Sequence, residues 1–214
     1  MNQAHHTSLR RSLVAALAAA AALALSPLPL PADEPEAVVG VAAPDFSLPD
    51  AQGKERSLSS LKGKPVVLEW LNYDCPFVRK HYGGRNMQAL QRKYTGKGVV
   101  WLSIISSAPG RQGHYPPEEV DRKSRERGAS PTAVLLDPEG RVGRLYGART
   151  TPHMFVIDKK GRLAYAGAID DRPSTDVEDL KGARSYVSEA VDAVLAGKPV
   201  RVSSTKPYGC SVKY

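Results

Sequence analysis

The stretch "KPVVLEWLNYDCPFVRKHY", residues 64–82, decides the fold. Apart from Glu69, both alternating sets of side chains in 65–71 are apolar, which predicts a central strand buried on both faces. A Cys–Pro pair follows and opens a predicted helix over 76–94. We expect the Gly83–Gly84 pair to break or kink this helix.

Cys75 therefore sits between a buried strand and the first turn of a helix. Free N–H groups and the helix dipole at that place favour an anion, and the thiolate is the reactive form of cysteine. Pro76 suits the first helical position, whereas the Asp74 carboxylate disfavours a neighbouring thiolate. The alternative is a small buried cysteine that only packs.

The second cysteine of the chain is distant in sequence. Position 78, where a dithiol loop would carry it, is Val78, and the chain's other cysteine is Cys210. About 13 residues after Gly197 span roughly 40 Å when extended, so Cys210 could meet Cys75 of this chain or of another subunit. The alternative is a static disulfide that pins the tail.

Two further positions suggest an active site. Glu69 interrupts the apolar strand, and a buried carboxyl group with a raised pKa could exchange a proton near neutral pH; alternatively it reaches solvent or an arginine. Pro152 in "RTTP" (149–152) starts a strand, where a cis bond would let the preceding backbone pair with an extended substrate. Arg149 could add positive charge near a thiolate. The alternative for Pro152 is an ordinary trans proline.

The amino-terminal region predicts export. Residues 1–32 combine Arg10 and Arg11 with an apolar run over 13–25, shorter than the roughly 20 residues that a membrane span needs. We interpret 1–32 as a signal peptide and 33–42 as a linker, which predicts a periplasmic or secreted protein without stable membrane insertion. An uncleaved membrane anchor is the alternative.

The remaining pattern indicates one α/β domain over 43–197 and a tail over 198–214. Its elements run strand, helix, strand, helix, strand, helix, strand, strand, helix, which predicts a mixed sheet between helices. The last helix is expected over 174–197, beginning at Ser174.

The charge pattern and the spacing of potential metal ligands disfavour two other classes of protein. The net charge is +8, but basic and acidic residues are interspersed, whereas nucleic-acid binding requires a basic stripe with aromatic residues. A soft-metal carrier would use the cysteines, histidines and methionines, but no pair has tight ligand spacing. We expect neither nucleic acid nor a cofactor. The histidines and methionines considered are His81, His114, His153, Met87 and Met154.

The sequence over 43–197 resembles the redoxin branch of the thioredoxin-like superfamily, which includes alkyl hydroperoxide reductase and thiol-specific antioxidant proteins. The motifs "NYDCPFVRKHY", "GARTTPHMFVIDKKGRLAYAGAIDDRP" and "KPYGCSVKY" are similar to a bacterial peroxiredoxin-like subgroup. The resemblance implies a thioredoxin-like fold with helices on both faces of the sheet. It implies Cys75 as nucleophile, Glu69 as the buried acid, and Thr151–Pro152 as a cis-proline pair.

Departures from the family narrow the expected function. Val78 excludes dithiol exchange within one loop, and Asn72 replaces the threonine that helps peroxiredoxins to hold peroxide. We expect an exported thiol–disulfide oxidoreductase or peroxiredoxin-like antioxidant protein in which Cys75 attacks a peroxide or a protein disulfide. Cys210 then resolves the product, and a reducing thiol protein reopens the disulfide. Pro76, Arg149 and the Thr151–Pro152 pair would contact the substrate. The first alternative is a non-catalytic binding module with a structural disulfide, and the second, less favoured one is a soft-metal carrier.

Overall fold

The computed structural model describes residues 37–214. Its strands, in chain order, are β1 (Ser47–Pro49), β2 (Glu55–Ser57), β3 (Val66–Trp70), β4 (Val100–Ile105), β5 (Ala133–Leu136), β6 (Thr150–Thr151), β7 (His153–Ile157), β8 (Leu163–Gly167) and β9 (Cys210–Ser211). Its α-helices are α1 (Pro76–Gly83), α2 (Asn86–Thr95), α3 (Pro117–Glu126), α4 (Arg141–Leu145) and α5 (Tyr186–Leu195).

The predicted central strand lies at the middle of a five-stranded mixed sheet with the order β5-β4-β3-β7-β8. Strand β3 runs parallel to β4 and antiparallel to β7, and every residue of β3 is buried. The predicted α/β fold with a mixed central sheet is confirmed. The end of β3 delivers the chain to the loop that carries Cys75.

Alternate side chains of β3 enter two separate cores. Val67 of the strand and Leu71, which follows it, pack with apolar residues of α1, α2, α3 and α5 on one face. Val66, Leu68 and Trp70 pack with α4 and with the segment around β1 on the other. Helices therefore cover both faces, as predicted.

Two predicted helices differ from the observed ones in extent. The helix over 76–94 divides at Gly83–Gly84 into α1 and α2, as the glycine pair predicts. The prediction that Ser174 begins the last helix is wrong, because α5 begins at Tyr186 and Ser185 caps it by accepting a hydrogen bond from the backbone N–H of Ser188. A 3₁₀ turn over Glu178–Leu180 and the positive φ of Gly182 interrupt the earlier stretch.

The structure describes only part of the amino-terminal region for which the sequence made predictions. The predicted signal peptide lies outside the described residues. In the predicted linker, the Ala37 N–H donates to the Leu145 carbonyl and the Gly40 N–H to that of Leu163. Within 37–214, no helix combines the length and the apolar character needed to cross a bilayer.

Candidate redox site

Cys75 lies immediately before α1 and has no solvent-exposed surface (0%). Its backbone N–H donates to the Asn72 carbonyl, and its own carbonyl accepts from Arg79, so the loop and the first helical turn fix its position. The Cys75 thiol donates a hydrogen bond to the Thr151 carbonyl oxygen over 3.0 Å. The sulfur is therefore held against the loop that precedes β7.

That loop also receives the second cysteine. The Thr151–Pro152 peptide bond is cis, as the family resemblance implies. Strand β6 pairs antiparallel with the tail strand β9, and Cys210 stands directly opposite Thr151. The structure thus brings together residues 75, 151 and 210, which are far apart in sequence, and both cysteines are free thiols.

A close backbone approach at Gly209 makes this pairing feasible. Gly209 has a φ of +137°, and a Cβ atom there would overlap the Thr151 carbonyl group. Only glycine adopts this backbone conformation without strain and leaves room for the carbonyl. The "YGC" sequence of the tail is the signal that could have indicated this contact.

The rest of the tail is anchored on both sides of Cys210. Before it, the Tyr208 hydroxyl donates to the Asp170 carboxylate and lies 3.1 Å from Nε2 of His81. After it, the Val212 N–H donates to the Arg149 carbonyl over 3.0 Å, and the Tyr214 hydroxyl donates to the Ala148 carbonyl over 2.7 Å. Cys210 is thereby held beside Cys75.

The two thiols differ in acidity. Burial acts to raise the pKa of Cys75, but the side chains of Cys210 and Thr151, which are placed to donate to a thiolate, outweigh it and hold the pKa below its usual value. Burial, together with the contact with Cys75, raises the pKa of the Cys210 thiol to about 11. Cys75 is consequently the sulfur that ionises first, and Cys210 is the thiol that retains its proton.

Thr151 contributes a second polar group at this site. Its Oγ1 is buried and has no hydrogen-bond partner among the described residues. An unpaired buried hydroxyl is costly, and this one lies on the residue that already contacts Cys75. It is available to donate to the sulfur when the thiol loses its proton.

Glu69 is a fully buried residue of β3, which agrees with the buried environment that the sequence predicted as one of two possibilities. Burial raises the pKa of its carboxyl group, and four hydrogen bonds partly oppose that effect. Its donors are Trp101 Nε1 and Ser103 Oγ, both at 2.8 Å, Gln91 Nε2 at 3.1 Å and the Tyr82 hydroxyl at 3.3 Å. The hydrogen bonds described for Glu69 do not include one with Cys75.

The other predicted substrate-contact residues surround the same loop. Pro76 is the exposed first residue of α1. Arg149 has an exposed side chain and reaches the tail through its backbone carbonyl. Across residues 37–214, no group of three or more histidine, cysteine, aspartate or glutamate side chains is arranged to hold a metal ion.

A cis-proline loop beside a cysteine at the start of a helix, on a mixed five-stranded sheet, defines a thioredoxin-like thiol protein. The chain belongs to the AhpC/TSA family, which matches residues 39–166. The family expected from the sequence is thereby confirmed.

Individual relatives refine this placement. The thiol-disulfide oxidoreductase ResA of Geobacillus thermodenitrificans is 29% identical over 125 residues, which are 58% of this chain and 66% of that protein, just under two thirds of its length. A hypothetical protein of Sinorhizobium meliloti has a similar structure, with 30% identity and a TM-score of 0.67 over 83% of this chain and 94% of the other. An uncharacterized conserved protein of Geobacillus kaustophilus also has a similar structure, with 29% identity and a TM-score of 0.70 over 83% of this chain and 92% of the other. The named relative is a thiol-disulfide oxidoreductase rather than a peroxiredoxin.

Proposed function

We propose that this chain is an exported thiol–disulfide oxidoreductase in which Cys75 is the nucleophile and Cys210 the resolving cysteine. One observation carries the proposal: Thr151 accepts the Cys75 thiol hydrogen bond and pairs through its backbone with Cys210. The name of the ResA relative supports the same activity. The predicted signal peptide supports export.

The reaction begins when β9 leaves β6 and exposes Cys75. The Cys75 thiolate attacks one sulfur of a protein disulfide, that disulfide bond breaks, and its other sulfur leaves as a thiolate that takes up a proton. When β9 returns, the Cys210 thiol loses its proton and its sulfur attacks that of Cys75. This step forms the Cys75–Cys210 disulfide and releases the second substrate thiolate, so the substrate gains two electrons. A reducing dithiol protein returns the pair to its thiol form by the same exchange chemistry.

The surroundings of Asn72 favour a disulfide over a peroxide as substrate. Its amide Nδ2 donates to the Gln112 carbonyl over 3.3 Å, and its Oδ1 accepts from the Asp74 N–H over 2.9 Å. Gly113 also packs against this amide so closely that a Cβ atom would overlap it. The side chain that replaces the peroxide-binding threonine is thus occupied in holding the loop.

The remaining predicted residues take supporting roles in this proposal. The Thr151 hydroxyl donates to the Cys75 thiolate, and Pro152 shapes the loop along which an extended substrate chain pairs once β9 has left. Pro76 and Arg149 border that path. Glu69 is a buried acid with a raised pKa, and its ionised form would disfavour the Cys75 thiolate without contact.

The reduction potential of the cysteine pair tests the proposal. Purified protein is equilibrated in glutathione buffers, and its thiols are trapped and counted, with Cys210→Ser as the variant that cannot form the pair. A bond that titrates between about −120 and −270 mV, the range of redox enzymes, is expected. A bond below about −300 mV would indicate a structural disulfide and the binding-module alternative. Two thiols that never pair, or unchanged turnover by Cys210→Ser, would refute the proposed chemistry.

A further inference from the structure

A basic cleft lies beside the helix that carries the reactive cysteine. It has a volume of about 530 Å³ and is bordered by α1, by α2 and by the carboxyl end of α3. Its lining includes five arginines: Arg79, Arg85, Arg92, Arg125 and Arg127. These residues lie in or at the ends of three helices, so the fold and not the local sequence brings them together.

The five guanidinium groups have no counter-charge in the described part of the chain. None of them forms an ion pair within residues 37–214. The acidic residue in the lining, Glu126, is already bound by Arg122 at 2.7 Å. Nε of Arg127 is buried and without a hydrogen-bond partner. The cleft therefore has a concentrated positive charge and unused donors.

Helix dipoles explain only part of this arrangement. Cations are favourable in the last turn of a helix, which accounts for Arg92 in α2 and Arg125 in α3. Arg79 lies outside the last turn of α1. Arg85 has a φ of +57°, a conformation that costs a residue other than glycine about 1–2 kcal/mol. Two of the five arginines thus occupy positions that helix stability does not favour.

We infer that this cleft is a docking surface for an acidic segment of the polypeptide that exchanges disulfides with Cys75 and Cys210. The inference rests on the proposed function. Arg79 lies about one helical turn after Cys75, which places the Arg79 end of the cleft about one turn of α1 from the reacting sulfur. Four of the five arginines are exposed, and such an open row of guanidinium groups suits several carboxylates along an extended chain.

A binding measurement tests the surface independently of redox chemistry. Fluorescein-labelled hexaglutamate is titrated with protein in which both cysteines are replaced by serine, and its anisotropy is followed, with hexaglutamine as the uncharged probe. The cleft variant replaces three arginines with glutamine: Arg85→Gln, Arg92→Gln and Arg125→Gln. The matched control removes three exposed arginines outside the cleft: Arg111→Gln, Arg141→Gln and Arg201→Gln.

Hexaglutamate should bind about tenfold more weakly to the cleft variant, since each exposed ion pair contributes a factor of about two. The control variant should bind hexaglutamate less than about threefold more weakly than the parent protein, since its arginines lie outside the cleft. Equal weakening in both variants would show that the probe senses only net charge and would overturn the inference. Inorganic tripolyphosphate that displaces the probe better than unlabelled hexaglutamate would also overturn it, in favour of a small-anion site.

Exchange kinetics connect the cleft with the reaction. Two disulfide-bonded peptides that differ in a flank of four glutamates or four glutamines are reduced by the otherwise unmodified protein and by the cleft variant. The acidic peptide should react about tenfold faster, and the cleft variant should lose that preference. Equal rates for both peptides would overturn the docking inference and leave the proposed function intact. No exchange with either would refute the proposed function, while the binding measurement would still decide whether acidic chains occupy the cleft.

Discussion

Replacing Gly209 with alanine should separate the two cysteines without altering either one. Gly209 has a φ of +137°, and its added Cβ atom would overlap the Thr151 carbonyl group. The tail must therefore shift away from β6. This shift removes the pairing of Cys210 with Thr151 and the hydrogen bond from Val212 to Arg149.

The size of the effect follows from these contacts. Two backbone hydrogen bonds contribute about 1 kcal/mol each, so the seated tail loses about 2 kcal/mol. That loss lowers the effective concentration of Cys210 at Cys75 about thirtyfold. The disulfide becomes easier to reduce, and the reduction potential of this two-electron couple should rise by about 45 mV.

Glutathione titration with thiol trapping measures this change, and Gly182→Ala is the matched control. Gly182 also has a positive φ, +73°, but a Cβ atom there would meet nothing within 4 Å. Gly182→Ala should lower stability through backbone strain and leave the potential unchanged. A potential of Gly209→Ala within about 10 mV of the parent protein, a factor of about two in the equilibrium, would refute the reasoning that the close approach at Gly209 seats the tail.

Three further predictions concern buried polar groups. Tyr208→Phe removes the hydroxyl that donates to Asp170. Because the carboxylate already has one unpartnered buried oxygen, urea unfolding should show a loss of about 1–3 kcal/mol, and a loss below about 0.5 kcal/mol would contradict this role. For His153, burial lowers the pKa to about 4. Below pH 6.5 the unfolded chain binds a proton that the native protein does not, so stability should fall by about 2 kcal/mol between pH 7 and pH 5. His153→Asn should reduce that slope, and parallel stability curves would contradict it. Glu69→Gln removes a buried carboxylate whose charge disfavours the Cys75 thiolate. Iodoacetamide should therefore alkylate this thiol about threefold faster at pH 7. An unchanged rate would show that Glu69 does not affect the ionisation of Cys75.

The strand, the helix start and the cysteine were predictable because they depend on local sequence. The apolar run over 65–71, interrupted by Glu69, favours a strand buried on both faces, and Cys–Pro after it marks a helix start. The glycine pair that divides α1 from α2 was visible for the same reason. The Thr151–Pro152 geometry was predicted from the family resemblance rather than from physical pattern.

The rest of the site depends on contacts between distant segments. The length of the tail alone would allow Cys210 many positions. Its observed position depends on Gly209, where the absence of a side chain lets the tail approach Thr151. The start of α5 was mispredicted because Ser174 and Ser185 are both acceptable caps, and tertiary context chooses between them. The interspersed charges argued against nucleic-acid binding but did not reveal the cleft, because arginines from three helical regions meet there only after folding.

The burial of Cys75 beneath β9 also sets a limit on speed. In the proposed reaction, a protein disulfide can meet this sulfur only while the tail is detached. Raising the substrate concentration then accelerates turnover only until every detachment is used, and beyond that point the reaction proceeds at the tail's own opening rate. Substrates of very different intrinsic reactivity would then share one maximal velocity, which the tail over 198–214 would set rather than the chemistry of the thiol.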